Sequence, residues 1–160
     1  MKTTLFALSL LAPITTAVAA PLNERNLALA DAQKLATDAV AQCLAKGWQV
    51  GVSVVDRGGN LKAFARADAA GPHTIAASQA KAFTALSTRN TSLAVMENAQ
   101  KNPAAANLAD IPGFLLLGGG VPLKAGNEVI GAMGIGGAPG GHLDEQCALA
   151  AIEANAALFR

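Results

Sequence analysis

Apolar and polar positions recur with clear periods along most of this chain. Ala32, Leu35, Ala36, Ala39, Val40 and Cys43 fall at three- and four-residue steps, with Asp31, Lys34, Asp38 and Gln42 on the opposite side. That spacing predicts an amphipathic helix over residues 27–46, stopped by Gly47. Residues 49–56 follow with Val50, Val52, Val54 and Val55, the β-branched content of a strand. Residues 56–60 are a turn, and residues 61–67 alternate Leu61, Ala63, Ala65 and Ala67 with Lys62, Phe64 and Arg66, which predicts a hairpin. A second helix is predicted from His73 or Thr74 to Thr88, with Ile75, Ala76, Gln79, Ala82, Phe83 and Leu86 on one face. Thr91 or Ser92 caps a third over residues 93–101, which Asn102 and Pro103 end.

The stretch 111–141 is the richest in glycine. An apolar run, Phe114 to Leu117, ends on Gly118, Gly119 and Gly120. Two further strand-like pieces, residues 121–124 and 129–135, flank a turn at residues 125–128. A second glycine cluster at residues 136–141 leads into a last helix, with Asp144 and Glu145 suited to its N-terminal end. This helix is predicted to reach Phe159 and to bury Cys147, Ala148, Ala151, Leu158 and Phe159. The order predicts an α+β fold, a five-stranded antiparallel sheet flanked by helices. The strand glycines leave room for a backbone, a second subunit or a flat ligand to lie close to the sheet.

Length and composition sharpen this picture. The chain has 160 residues, enough for one domain, and 52% are hydrophobic, enough for a buried core. Residues 1–20 read as a signal peptide: Lys2 leads an apolar run over residues 5–14, and Ala17, Val18 and Ala19 form an A-x-A cleavage motif. The run is shorter than the roughly 20 residues that a membrane span needs, and no other segment could cross a membrane. Residues 21–160 are then one exported domain, periplasmic or secreted. With Lys2 removed, eleven basic and eleven acidic residues remain, without a basic run, so nucleic acid is excluded as a partner. Cys43 and Cys147 are the only thiols and show no redox, haem-attachment or zinc spacing. In an oxidising compartment they read either as a disulfide or as two buried free thiols.

Few residues offer chemistry. Residues 134–139 fail the dinucleotide fingerprint because Pro139 takes its last place, there is no Walker motif, and no serine stands in a nucleophile-elbow context. His73 begins a helix after Gly71 and Pro72, where an imidazole can ligate haem iron or simply be solvated. His142 with Asp144 and Glu145 reads as a weak metal site or as a capped helix start. Arg66, Lys81 and Arg89 are candidate partners for carboxylates, against the alternative of solvated charge or an ion pair. Phe64, Phe83, Met96 and Met133 read as the lining of an apolar slot or as core.

Three blocks carry a resemblance. They are VVDRGGNLKAFARADAA at residues 54–70, HTIAASQAKAFTA at residues 73–85 and GGGVPLKAGNEVIGAMGIGGAPGGHLDEQCALAA at residues 118–151. In this order they resemble the GlcG/HbpS-like haem-binding proteins, a family also labelled haem-degrading. The resemblance implies a profilin-like α-β sandwich, homo-oligomers, and haem or a related tetrapyrrole as ligand. It strengthens His73 as the axial iron ligand. A haem held there has two propionates to satisfy, for which Arg66, near His73 in sequence, and Lys81, two helical turns on, are the expected partners, with the glycine-rich strands as the surface of close approach. Gly136 and Gly137 depart from the Ser-Gly pair of many relatives. The expectation is an exported haem-binding protein, with a haem-degrading enzyme and a cofactor-free structural or accessory module as alternatives.

Overall fold

The valines that follow Gly47 form the centre of the sheet. In the computed structural model, which describes residues 19–160, β1 (Gly51–Asp56) is flanked by β2 (Leu61–Arg66) and β4 (Glu128–Gly136), and β3 (Gly120–Ala125) lies outside β4. All three pairings are antiparallel, giving the order β2-β1-β4-β3. The four helices are α1 (Leu29–Leu44), α2 (His73–Thr88), α3 (Ser92–Lys101) and α4 (Gly141–Ala154). Short 3-10 segments at Pro103–Asp110 and Ala156–Phe159 complete the order. The signal-peptide reading falls mainly on residues 1–18, which lie outside the described residues.

The main core lies on one face of the sheet. There α1 contributes Ala32, Leu35, Ala36, Ala39 and Cys43, and α4 contributes Cys147, Ala148 and Ala151. These pack on Val52, Val54, Leu123, Met133 and Ile135 of the strands. Cys43 and Cys147 form a disulfide between the two helices, with Cα atoms 5.5 Å apart and 104 positions apart in sequence. The α1 stripe of the sequence is thus the face that is buried, as its spacing requires.

On the other face α2 packs with different chemistry. Its buried residues are Thr74, Ser78, Lys81, Ala82, Thr84 and Ala85. Ile75 is 46% exposed, and Ala76 and Gln79 are exposed. Apart from Ala82, the face marked out by the spacing of Ile75, Ala76, Gln79, Phe83 and Leu86 lies outwards or only half-buried. The reason is distance. A Cβ on Gly134 would overlap the carbonyl oxygen of Ser78, and one on Gly120 would overlap that of Lys81. The helix backbone rests directly on the strand backbone, so only small side chains and hydroxyls fit between them. Those hydroxyls find partners: Ser53 and Ser78 share a hydrogen bond of 2.8 Å, and Thr74 donates to the Gly71 carbonyl at 2.7 Å. The space at Gly51, Gly120 and Gly134 is therefore filled by α2, not left open for a flat ligand.

The sheet has four strands among the described residues, not five. Residues 114–117 lack a ladder because side-chain hydroxyls take their backbone groups. The Leu115 N–H donates to Thr84 Oγ1 at 2.8 Å, and Ser92 Oγ donates to the Leu117 carbonyl at 2.7 Å. Phe114 meets Phe83 edge to face, with centroids 6.1 Å apart. The last helix also ends earlier than predicted, at Ala154, before the final 3-10 segment.

Two stability outcomes follow from this packing. Gly134→Ala should lower unfolding stability by at least about 2 kcal/mol, because neither backbone can yield cheaply. Gly136→Ala should be tolerated, since its nearest new contact would be 3.6 Å away at Ala77. Equal urea midpoints for the two variants would refute the close approach. Replacing Cys43 and Cys147 together by Ala should cost about 2–5 kcal/mol, for a loop of this length. An unchanged urea midpoint would show that the bridge constrains nothing.

Candidate functional site

The turn at Gly71 and Pro72 delivers His73 as the first residue of α2, and its side chain is exposed. The imidazole folds back over Gly71: a Cβ there would lie 2.8 Å from both Nδ1 and Cε1. Gly71 thus gives the ring its seat, and Nε2 points away from it. Arg66 ends β2 and is exposed; its cross-strand partner is Gly51, and Gly51 rests against Thr74 of α2. His73 and Arg66 consequently stand at the same end of the sheet. Among the described residues Arg66 joins no ion pair.

Lys81 is placed differently from expectation. It is 2% exposed, and its ammonium donates to Asp144 Oδ2 at 2.8 Å and to the Ile135 carbonyl at 2.9 Å. It is therefore not presented to a propionate; its charge is spent inside the protein. Asp144 stands in the first turn of α4, and its Oδ1 accepts from the Ala138 N–H at 2.9 Å. Burial pushes the Asp144 carboxyl above the ordinary carboxylate value, and the Lys81 ammonium and the Ala138 N–H oppose that shift. The clue available in sequence was that α2 carries one charged residue, in the middle of an otherwise neutral helix. Nothing in the spacing pointed to Asp144, 63 positions later.

The proposed metal trio does not assemble. His142 is exposed, Asp144 turns inwards to Lys81, and Glu145 turns towards the start of α3. Burial raises the Glu145 carboxyl, while the Thr91 side chain and the N–H groups of Leu93 and Gly119 draw it back. No cluster of three His, Cys, Asp or Glu side chains suited to a metal occurs among the described residues. The imagined apolar slot is also divided. Met133 is fully buried in the core shared with α1, Phe64 is 38% exposed on β2, and Phe83 packs on Phe114 on the α2 side. Arg89 closes α2 in a left-handed conformation at the end remote from His73.

Two of the open grooves lie along α2. One, of about 930 Å³, runs along the hairpin turns at the far end of α2 and includes Asp56, Arg57 and Arg89. The other, of about 400 Å³, follows the outer side of α2 and is lined by Gly59, Ala76, Gln79, Ala80, Phe83, Pro112 and Gly113. No helix among the described residues is long and apolar enough to cross a membrane.

An antiparallel four-stranded sheet, two disulfide-linked helices on one face and a close-packed helix on the other, charged only at the buried Lys81, define a small α+β domain. The chain belongs to the HbpS-like family: the family model described as haem degrading protein HbpS-like matches residues 27–153. A double mutant of HbpS from Streptomyces reticuli is 37% identical with a TM-score of 0.78, over 89% of this chain and 98% of that one. Klebsiella pneumoniae protein ORFY is 28% identical with a TM-score of 0.78, over 87% of this chain and 99% of that one. A crystal structure of a PduOC haem complex is 25% identical with a TM-score of 0.72, over 81% of this chain and 94% of that one. No curated protein sequence matches the chain.

The buried pair gives a direct test of its weight. Lys81→Met leaves Asp144 without its counter-charge and should cost about 3–5 kcal/mol. Adding Asp144→Leu should recover at least half of that loss, because no buried charge is left alone. A double variant no more stable than Lys81→Met in urea would show that the two groups are not coupled.

Proposed function

We propose that this protein binds haem or a related tetrapyrrole at the His73 end of α2, as an exported protein that assembles with copies of itself. The observation that carries the reading is an exposed imidazole and an exposed, unpaired guanidinium at one end of the sheet. The residues suit the group. Imidazole is a ligand for haem iron, and His73 Nε2 points away from its own turn. Arg66 supplies a planar pair of donors for a propionate carboxylate. Bound haem would supply the redox chemistry of its iron; the chain's part is to hold and orient it. Membership of a family described as haem-degrading, and likeness to a PduOC haem complex, support the same ligand.

Lys81 has no part in this site, because its ammonium is already bound within the core. The Cys43–Cys147 disulfide supports export, since such bridges persist in oxidising compartments.

Absorbance titration with haem tests the site. Wild-type protein should give a saturable, shifted Soret band. His73→Ala should lose that shift, and His142→Ala should keep it. Arg66→Ala should weaken binding by about 10- to 100-fold, the worth of a charge-assisted hydrogen bond of roughly 1.5–3 kcal/mol. A His73→Ala spectrum identical to wild type would overturn the ligand assignment.

A further inference from the structure

Residues 96–117 form a strap with no buried residue: the rest of α3, the 3-10 segment Pro103–Asp110 and the link beyond it. Its two ends meet in one place. α3 buries Ser92 and Val95, both in its first turn, and the chain re-enters the core at Gly118, Gly119 and Gly120. Ser92 joins these ends, donating to the Leu117 carbonyl and accepting from the Gly120 N–H, each at 2.7 Å. Glu145, half-buried on α4, stands at the same junction. The Thr91 hydroxyl and the Leu93 N–H reach its carboxyl from one end of the strap, and the Gly119 N–H reaches it from the other. Its Oε2 is buried and has no hydrogen-bond partner among the described residues.

We propose that Glu145 is a protonation-controlled clasp: while neutral it holds the two ends of the strap against α4, and on losing its proton it lets α3 come away. The idle oxygen sets the direction. A neutral carboxyl there forgoes a single hydrogen bond, whereas a carboxylate places charge on a buried atom that no donor meets. Nearby charges give no relief. Glu97 of α3 repels the carboxylate. Lys81, beside Gly119, is already held by Asp144 and the Ile135 carbonyl. His142, three positions earlier on α4, is exposed, and residues 115–120 carry no charge. Burial accordingly holds the Glu145 carboxyl above the ordinary glutamate value, against the pull of the three donors. The closed strap thus binds this proton more tightly than an open, hydrated Glu145 does. Closure is complete at low pH and is lost as pH rises through the raised value. The strap gives way before the sheet because its middle is held to α2 by the Leu115–Thr84 bonds and the Phe114–Phe83 contact, without buried apolar residues of its own. Opening displaces the Pro112–Gly113 wall of the 400 Å³ groove. The inference needs neither haem nor a second copy.

Hydrogen exchange of the oxidised mature protein, read by mass spectrometry, tests the clasp. Wild type and Glu145→Gln are compared at the same pH, so that the intrinsic exchange rate cancels. At about pH 8, peptides from residues 92–117 should exchange about threefold or more faster in wild type than in Glu145→Gln. At about pH 4, where the buried carboxyl is neutral, the two should match. Peptides from β1 and β4 should match at both values. Glu97→Gln removes the repelling charge and should slow exchange of the strap at about pH 8 relative to wild type. Equal strap exchange in wild type and Glu145→Gln at both pH values, slower exchange in wild type at the higher one, or the same gap at both would overturn the proposal. If Glu145→Gln unfolds by circular dichroism, wild type against Glu97→Gln decides, and equal strap exchange at the higher pH then overturns it.

Discussion

A lysine and an aspartate sealed between two layers set the terms for the rest of the molecule. Lys81 reaches from α2 to the start of α4, where Asp144 also holds the Ala138 N–H. Removing both charges from water is costly, and their attraction repays it only when the remaining donors and acceptors are also engaged. Here the Ile135 carbonyl and the Ala138 N–H complete the arrangement. The pair closes only if α2 lies flat on the sheet and the 136–141 loop has turned correctly. Gly119 lies beside both groups, at φ +119°. A side chain there would be strained and would crowd the Asp144 Cβ and the Ile135 carbonyl. Such a pair gains little over apolar replacements, but it penalises every packing that leaves either charge alone.

Much of the fold could be read from spacing. The α1 stripe, the first hairpin and the strands either side of the 125–128 turn announce themselves because their buried sides are made of apolar carbon. The failures share a different cause. On α2 the inner face is polar and small, so hydrophobic periodicity does not mark it. Its burial is decided by a backbone-to-backbone distance, which side-chain pattern does not encode. Residues 114–117 looked like a strand because they are apolar. Their backbone partners, Thr84 and Ser92, are single hydroxyls far away in sequence. At the site, His73 and Arg66 were recognisable as exposed chemistry next to turns. Lys81 was misassigned because sequence does not show that a cation has been buried or what neutralises it.

The two sides of α2 divide the labour of the domain. The inner side is fixed by contact with strand glycines and by hydroxyl bonds, and it has little freedom to change shape. The outer side carries neutral apolar surface and ends at His73. An imidazole set on the first turn of such a helix inherits its rigidity, while the glycine behind it leaves the ring room to settle. The proposed haem site thereby rests on a firm element rather than on a loose loop. This arrangement limits the freedom lost when a ligand is captured.

The bridge between the first and last helices has a topological consequence. With Cys43 joined to Cys147, all four strands, α2 and α3 lie inside one covalent ring. A protease cutting once in the exposed link around Asn102 to Pro112 would produce two pieces that could not diffuse apart. Each piece would keep two of the strands, and the ladder between β1 and β4 would still join them. The ring thus turns a scission of the backbone into a local injury.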